Sequence, residues 1–144
     1  MTDTLEAPAK TAPQMTPLKG GLTPYLMLSD ASAAIDFYKR AFGAEEIGDR
    51  VKMEDGRLMN SRVDINGASL MLMDPMPEYG HPATQPPISG NLHLPVDDTD
   101  AWFERAVAAG CEVLMAPKVE FWGDRYAQVR DPFGVCWAFG STPR

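Results

Sequence analysis

The chain has 144 residues, 44% of them hydrophobic and 23% charged, with a formal net charge of −7. That length supports one domain, or two small pseudo-repeats around a common core. An acidic surface repels phosphate backbones and anionic lipid, no apolar run approaches the ~18 residues that cross a bilayer, and no basic segment followed by an apolar core opens the chain, so a cytoplasmic protein without nucleic-acid or membrane partners is expected.

Residues 1–20 carry Pro8, Pro13 and Pro17 among Thr, Ala and Lys, show no hydrophobic period, and are expected to form a flexible tail. A single folded domain is placed at 21–144, with module one at 21–74, a linker at 75–89 and module two at 90–140. Leu22–Leu28 reads as a strand, although Pro24 asks for an edge or a bulge. Asp30 or Ser32 can cap the helix that follows by accepting from free N–H groups. Ile35, Tyr38, Ala41 and Phe42 share one face of that helix, and Gly43 ends it. Strands are expected at Ala44–Met53, Leu58–Ile65 and Ser69–Met73. Asp55-Gly56 and Asn66-Gly67 join them, because both dipeptides tolerate positive φ. The segment 75–90 holds Pro75, Pro77, Pro82, Pro86 and Pro87, and is read as irregular, either a plain linker or a lid.

The same order then recurs. Asn91–Val96 is a strand, and Asp98 or Thr99 caps a helix with Trp102, Phe103, Ala106 and Val107 on its apolar face. Gly110 stops it, and strands follow at Glu112–Phe121, Arg125–Arg130 and Val135–Phe139. The spacing from Gly43 to Gly67 equals that from Gly110 to Gly134. Two copies are too few for a solenoid, so the fold class is α+β, two βαβββ modules in tandem.

Side chains alternate across a strand, so Thr23, Tyr25 and Met27 oppose Pro24, Leu26 and Leu28, and Asn91, His93 and Pro95 oppose Leu92, Leu94 and Val96. The aliphatic faces should meet the helices. The mixed faces should point into a concavity between the modules, where Thr23, Tyr25, Asn91 and His93 would line a wet pocket. His93 is a hydrogen-bonding group or general base there, or a satisfied structural histidine, or a metal ligand in need of partners. Trp122 and Arg125 form a stacking wall with an anion-pairing guanidinium, or else belong to a tight turn closed by an Asp124–Arg125 pair. Met27, Met71 and Met73 suit a soft pocket, core packing or a dimer interface. Cys111 and Cys136 fit reduced, mostly buried thiols, since they show neither a disulfide framework nor CxxC spacing; the alternative for Cys136 is a nucleophile, although no base stands beside it in sequence. No glycine-rich nucleotide motif, HExxH or GxSxG is present.

Four phrases carry a family likeness: Leu22-Thr-Pro-Tyr-Leu26, Ala34-Ile-Asp-Phe-Tyr-Lys-Arg-Ala-Phe-Gly-Ala44, Phe121-Trp-Gly-Asp-Arg125 and Asp131-Pro-Phe-Gly134. Together they resemble the vicinal oxygen chelate superfamily, which includes glyoxalase I, bleomycin-resistance proteins and extradiol dioxygenases, and within it the PhnB-like branch. The resemblance spans about residues 21–140. It implies that the module sheets form an open cup and that the chain forms a homodimer. It also implies metal-ligand positions at Thr23, Met71, Asn91 and Ala138, where family members that use a metal carry His, Glu or Gln. None of the four is a good ligand for a hard or borderline divalent ion, so no metal and no cofactor is expected.

The function expected is therefore binding of a small amphipathic molecule in the cup, of the bleomycin-resistance or PhnB-like type. Tyr25, Met71, Asn91, His93, Trp122, Arg125 and Cys136 are the candidate contacts, and the acidic charge favours a cationic or neutral ligand. The alternative is a divalent-metal-dependent lyase, isomerase or dioxygenase acting on a small oxygenated substrate; the sequence assigns no catalytic residue.

Overall fold

The computed structural model describes residues 16–143; the expected tail at 1–15 lies outside them. Module one runs β1 (Tyr25–Met27), α1 (Ala31–Phe42), β2 (Glu45–Glu46), β3 (Val51–Lys52), β4 (Leu58–Asn60), β5 (Arg62–Ile65) and β6 (Ala68–Met73). Module two runs β7 (Asn91–Pro95), α2 (Thr99–Ala109), β8 (Glu112–Val119), β9 (Arg125–Arg130) and β10 (Cys136–Ser141). The sheets have matching topology, β1-β6-β5-β2 and β7-β10-β9-β8. In each, the first and last strands pair in parallel and the rest are antiparallel. The α+β class and the duplicated module are thus as expected.

Local chemistry explains most boundaries. Asp30 and Asp98, rather than Ser32 or Thr99, cap the helices, their Oδ1 atoms accepting from the N–H of Ala33 and Ala101 at 3.0 Å each. Asn66 at φ 52° and Gly67 at φ 82° make the left-handed pair that a two-residue hairpin needs between β5 and β6. Several expected strands are shorter or divided, among them Glu112–Phe121, which ends at Val119. The 44–53 stretch separates into β2 and β3 around Gly48. The 58–65 stretch breaks at Ser61, whose hydroxyl donates to the Leu72 carbonyl at 2.8 Å. The first strand begins only at Tyr25, after Pro24.

The last residues of the expected tail are tied down. Arg62 Nη1 donates to the Thr16 carbonyl at 2.6 Å, and the Lys19 N–H donates to Ser69 Oγ at 2.7 Å. The anchor is a buried cluster in which Arg62 grips both oxygens of Asp64, at 2.9 and 3.1 Å. A sequence scan for apolar period does not register such a polar anchor.

The modules meet through their helices. α1 buries Ile35, Phe37, Tyr38, Ala41 and Phe42. Its Tyr38 and Phe42 rings reach across to Trp137 of β10, with centroids 5.4 and 4.5 Å apart. At the centre of this contact lies Asp131, 3% exposed. Its Oδ2 accepts from the Tyr38 hydroxyl at 2.6 Å and from Trp137 Nε1 at 2.9 Å, while Oδ1 accepts from the N–H groups of Phe133 and Val135. Burial, reinforced by the Asp131 carboxylate, pushes the Tyr38 hydroxyl well above its ordinary value, so it stays a donor. The second helix is shallower than its pattern suggested: Ala106 is buried, but Trp102, Phe103 and Val107 are half-buried.

Candidate functional site

The face of β1 and β6 opposite α1 carries Tyr25, Met27, Met71 and Met73, because Tyr25 pairs with Met71 and Met27 with Met73. That face is the floor of a cavity of about 440 Å³, within the range of drug-sized ligand sites. Tyr25, Met27, Met59 and Met73 line it from the sheet side, and Met76, Tyr79 and His81 from the connector. Met71 lies half-buried beside Tyr25 but is not among the lining residues.

The connector wall has a definite architecture over 76–81, which corrects the expectation of an irregular segment at 75–90 for that stretch, while 82–90 carries neither helix nor strand. Met76 and His81 form an antiparallel bridge, the Met76 N–H donating to the His81 carbonyl at 2.7 Å and the His81 N–H returning 3.0 Å to Met76. Between them lies a 3-10 turn, Pro77–Tyr79, closed by Gly80 at φ 83°. Met76, 1% exposed, anchors the hairpin in the core. Arg57 holds it from outside: Nη1 donates to Glu78 Oε1 at 3.1 Å, Nη2 to Glu78 Oε2, and Nε to Asp55 Oδ2 at 3.0 Å. The Arg57 guanidinium holds the Glu78 carboxyl down at about 2.

Polar groups are few on the lining. The Tyr25 hydroxyl donates to the Met59 carbonyl at 2.8 Å and accepts from Asn60 Nδ2 at 3.1 Å, which fixes its ring at the rim. Partial burial raises its pKa against the smaller opposing effect of Asn60.

The other expected contact residues lie on module two and do not line this cavity. Asn91, His93 and Cys136 share the open face of the second sheet, with Cys136 beside Asn91 and Ala138 beside His93. The His93 ring stacks on Tyr126, with centroids 6.0 Å apart, and Tyr126 meets Trp122 edge-on at 5.5 Å. Cys136 is half-buried and Cys111 buried, both as free thiols. Arg125 turns toward the helix, where Nε and Nη2 grip Asp100 at 2.6 and 3.0 Å. This corrects the expected Asp124–Arg125 pair: Asp100 in the first turn of α2 takes the guanidinium. Met59, Met76, Tyr79 and His81 were missed as candidates. The one signal for them was the set of methionines leading into the proline-rich connector, Met59, Met71, Met73 and Met76.

The donor set does not fit a hard or borderline divalent ion. Thr23 and Asn91 offer neutral oxygens, Met71 a thioether and Ala138 nothing. Among the described residues, no three His, Cys, Asp or Glu side chains gather as a metal site.

Comparison with known proteins adds four findings. A family model described as the Glyoxalase/Bleomycin resistance protein/Dioxygenase superfamily matches residues 22–139. A relative of uncharacterised function from Mycobacterium bovis is 44% identical over 128 residues, covering 85% of this chain and 84% of that protein. Among solved structures, TioX from Micromonospora sp. ML1 superposes with a TM-score of 0.70 at 23% identity, covering 86% of this chain and 99% of that one. TnmS3 from Streptomyces sp. CB03234, described as an antibiotic binding protein, superposes with a TM-score of 0.65 at 28% identity, covering 90% of this chain and 98% of that one.

Proposed function

The chain belongs to the Glyoxalase/Bleomycin resistance protein/Dioxygenase superfamily, and on that premise we propose that it binds a small, largely apolar molecule in the methionine-lined cavity of module one, with no metal ion among the contacts. The observation that carries this reading is the lining itself: Met27, Met59, Met73 and Met76 face one space with Tyr25, Tyr79 and His81. Thioethers are polarisable and unbranched, so they reshape around an aromatic or irregular apolar ligand at little cost. The likeness to TnmS3 supports an antibiotic, or a molecule of that kind, as the ligand class. The net charge of −7 favours a neutral or cationic member of it.

The chain acts as a binding protein in this reading and forms a homodimer. Metal-dependent lyase, isomerase or dioxygenase chemistry loses support because the four expected corners, Thr23, Met71, Asn91 and Ala138, hold unsuitable donors. Nile red, a neutral hydrophobic fluorophore, tests the cavity. It should brighten saturably with the protein, and Met59→Glu, which places a carboxylate at the rim, should weaken binding by about tenfold or more. Unchanged binding by Met59→Glu overturns the reading. So does a stoichiometric transition metal that survives dialysis against chelator. Sedimentation equilibrium reads the dimer.

A further inference from the structure

The second sheet carries a feature that the module-one cavity does not explain. Glu120 follows β8, and its Oε2 is the one buried side-chain polar atom without a hydrogen-bond partner among the described residues. The nearest positive group is Lys118 Nζ, 3.6 Å away on a side chain that is 68% exposed. An exposed ammonium at that distance contributes little, and a buried carboxylate oxygen without a donor costs desolvation energy. Such an atom marks a position where a partner is missing.

Aromatic rings lie on the same side. Lys118 pairs with Tyr126 across the β8–β9 ladder, so the carboxylate that reaches Lys118 stands on the face carrying Tyr126. The loop from Glu120 to Asp124 folds tightly, the Gly123 N–H donating to Glu120 O and the Glu120 N–H to Asp124 O, both at 2.9 Å. That turn brings the Trp122 ring onto Tyr126 with planes inclined at 72°. Gln128 Nε2 donates to the Tyr126 hydroxyl at 2.8 Å and fixes one wall of the corner, and His93 backs it from the other side. Trp122 is 50% exposed, so its ring is reachable from solvent, while the buried Glu120 oxygen would act on a bound cation by its charge rather than by direct hydration.

We propose that this corner, Tyr126 and Trp122 beside the Glu120 carboxylate, binds an organic cation: a quaternary or protonated ammonium group. Aromatic faces attract such groups through their quadrupoles, and the unsatisfied carboxylate supplies the counter-charge. A neutral group of the same shape satisfies neither. The site lies on the other sheet from the methionine cavity and stands or falls independently of it.

The experiment titrates the full chain with choline and with 3,3-dimethylbutanol, which has the same shape without the charge. The readout is the indole N–H signal of Trp122 in a ¹H–¹⁵N spectrum, assigned with Trp122→Phe. Choline should shift that signal saturably, and dimethylbutanol should bind at least about tenfold more weakly, the scale of a partly desolvated cation–π contact. Glu120→Gln should weaken choline by about tenfold at the same indole signal, with an unaltered circular dichroism spectrum. Equal affinity for the two probes, a Glu120→Gln protein that binds choline like the parent, or no saturable shift at Trp122 each overturns the proposal. Met59→Glu should leave choline binding unchanged, which separates failure here from failure of the cavity.

Discussion

Asp131 shows how much one side chain can organise. It accepts four hydrogen bonds, two from backbone N–H groups of its own turn and two from Tyr38 and Trp137. Those donors belong to α1 and to the second sheet, so one carboxylate joins the two modules. Asn in its place keeps one acceptor and turns an NH₂ toward donors. Asp131→Asn should therefore lower stability by about 2–4 kcal/mol, read as the urea midpoint followed by Trp fluorescence. The cysteines give a second prediction at this scale. Burial, with the Asp131 charge adding to it, pushes the Cys111 thiol up to about 12. Native protein treated with iodoacetamide at pH 8 should take one label, at the half-buried Cys136, and urea-unfolded protein two, counted by intact mass.

Among the elements, the Met76–His81 hairpin is the one on which the proposed ligand site most depends. It supplies one wall of the cavity, and Arg57 is its outer fastening. The folded-state pKa of Glu78 is depressed from 4.5 to about 2. Such a group adds stability that is fully present above its unfolded value and is lost as pH falls toward the folded one. The amide signals of Met76 and Tyr79 should thus hold steady from pH 7 to about 4.5 and move as pH approaches 2. Arg57→Ala should produce the moved signals at neutral pH. The helices show what local pattern can and cannot specify. The periodic face of α1 was legible and lies in the core, while the similar face of α2 is only half-covered. Periodicity reports which side of a helix is apolar, but how deeply it is buried depends on what the other module brings against it.

For the whole molecule, the decisive contact is α1 against Trp137 and Phe139. The two sheets do not share a ladder, so the modules are joined by this aromatic cluster, by Asp131 and by the helix contact, where Arg105 of α2 donates to the Arg40 and Lys39 carbonyls at 2.9 and 3.4 Å. Phe42→Ala should cost about 3–5 kcal/mol. It should lower the unfolding midpoints of both modules together, as seen by amide exchange in β5 and β10. Separate midpoints would show two independent units.

The sequence by itself determined the duplicated order of elements, the start of both helices, the Asn66-Gly67 turn and the poverty of chelating donors at Thr23, Met71, Asn91 and Ala138. These follow from side-chain period, from φ preference and from the chemistry of single residues, all of which are local. Only the tertiary structure decided that Met76, Tyr79 and His81 fold back over Tyr25 and Met27, that Arg125 turns to Asp100, and that Trp122 meets Tyr126. Each depends on which distant backbone lies within a side chain's reach, and no spacing along the chain encodes that distance.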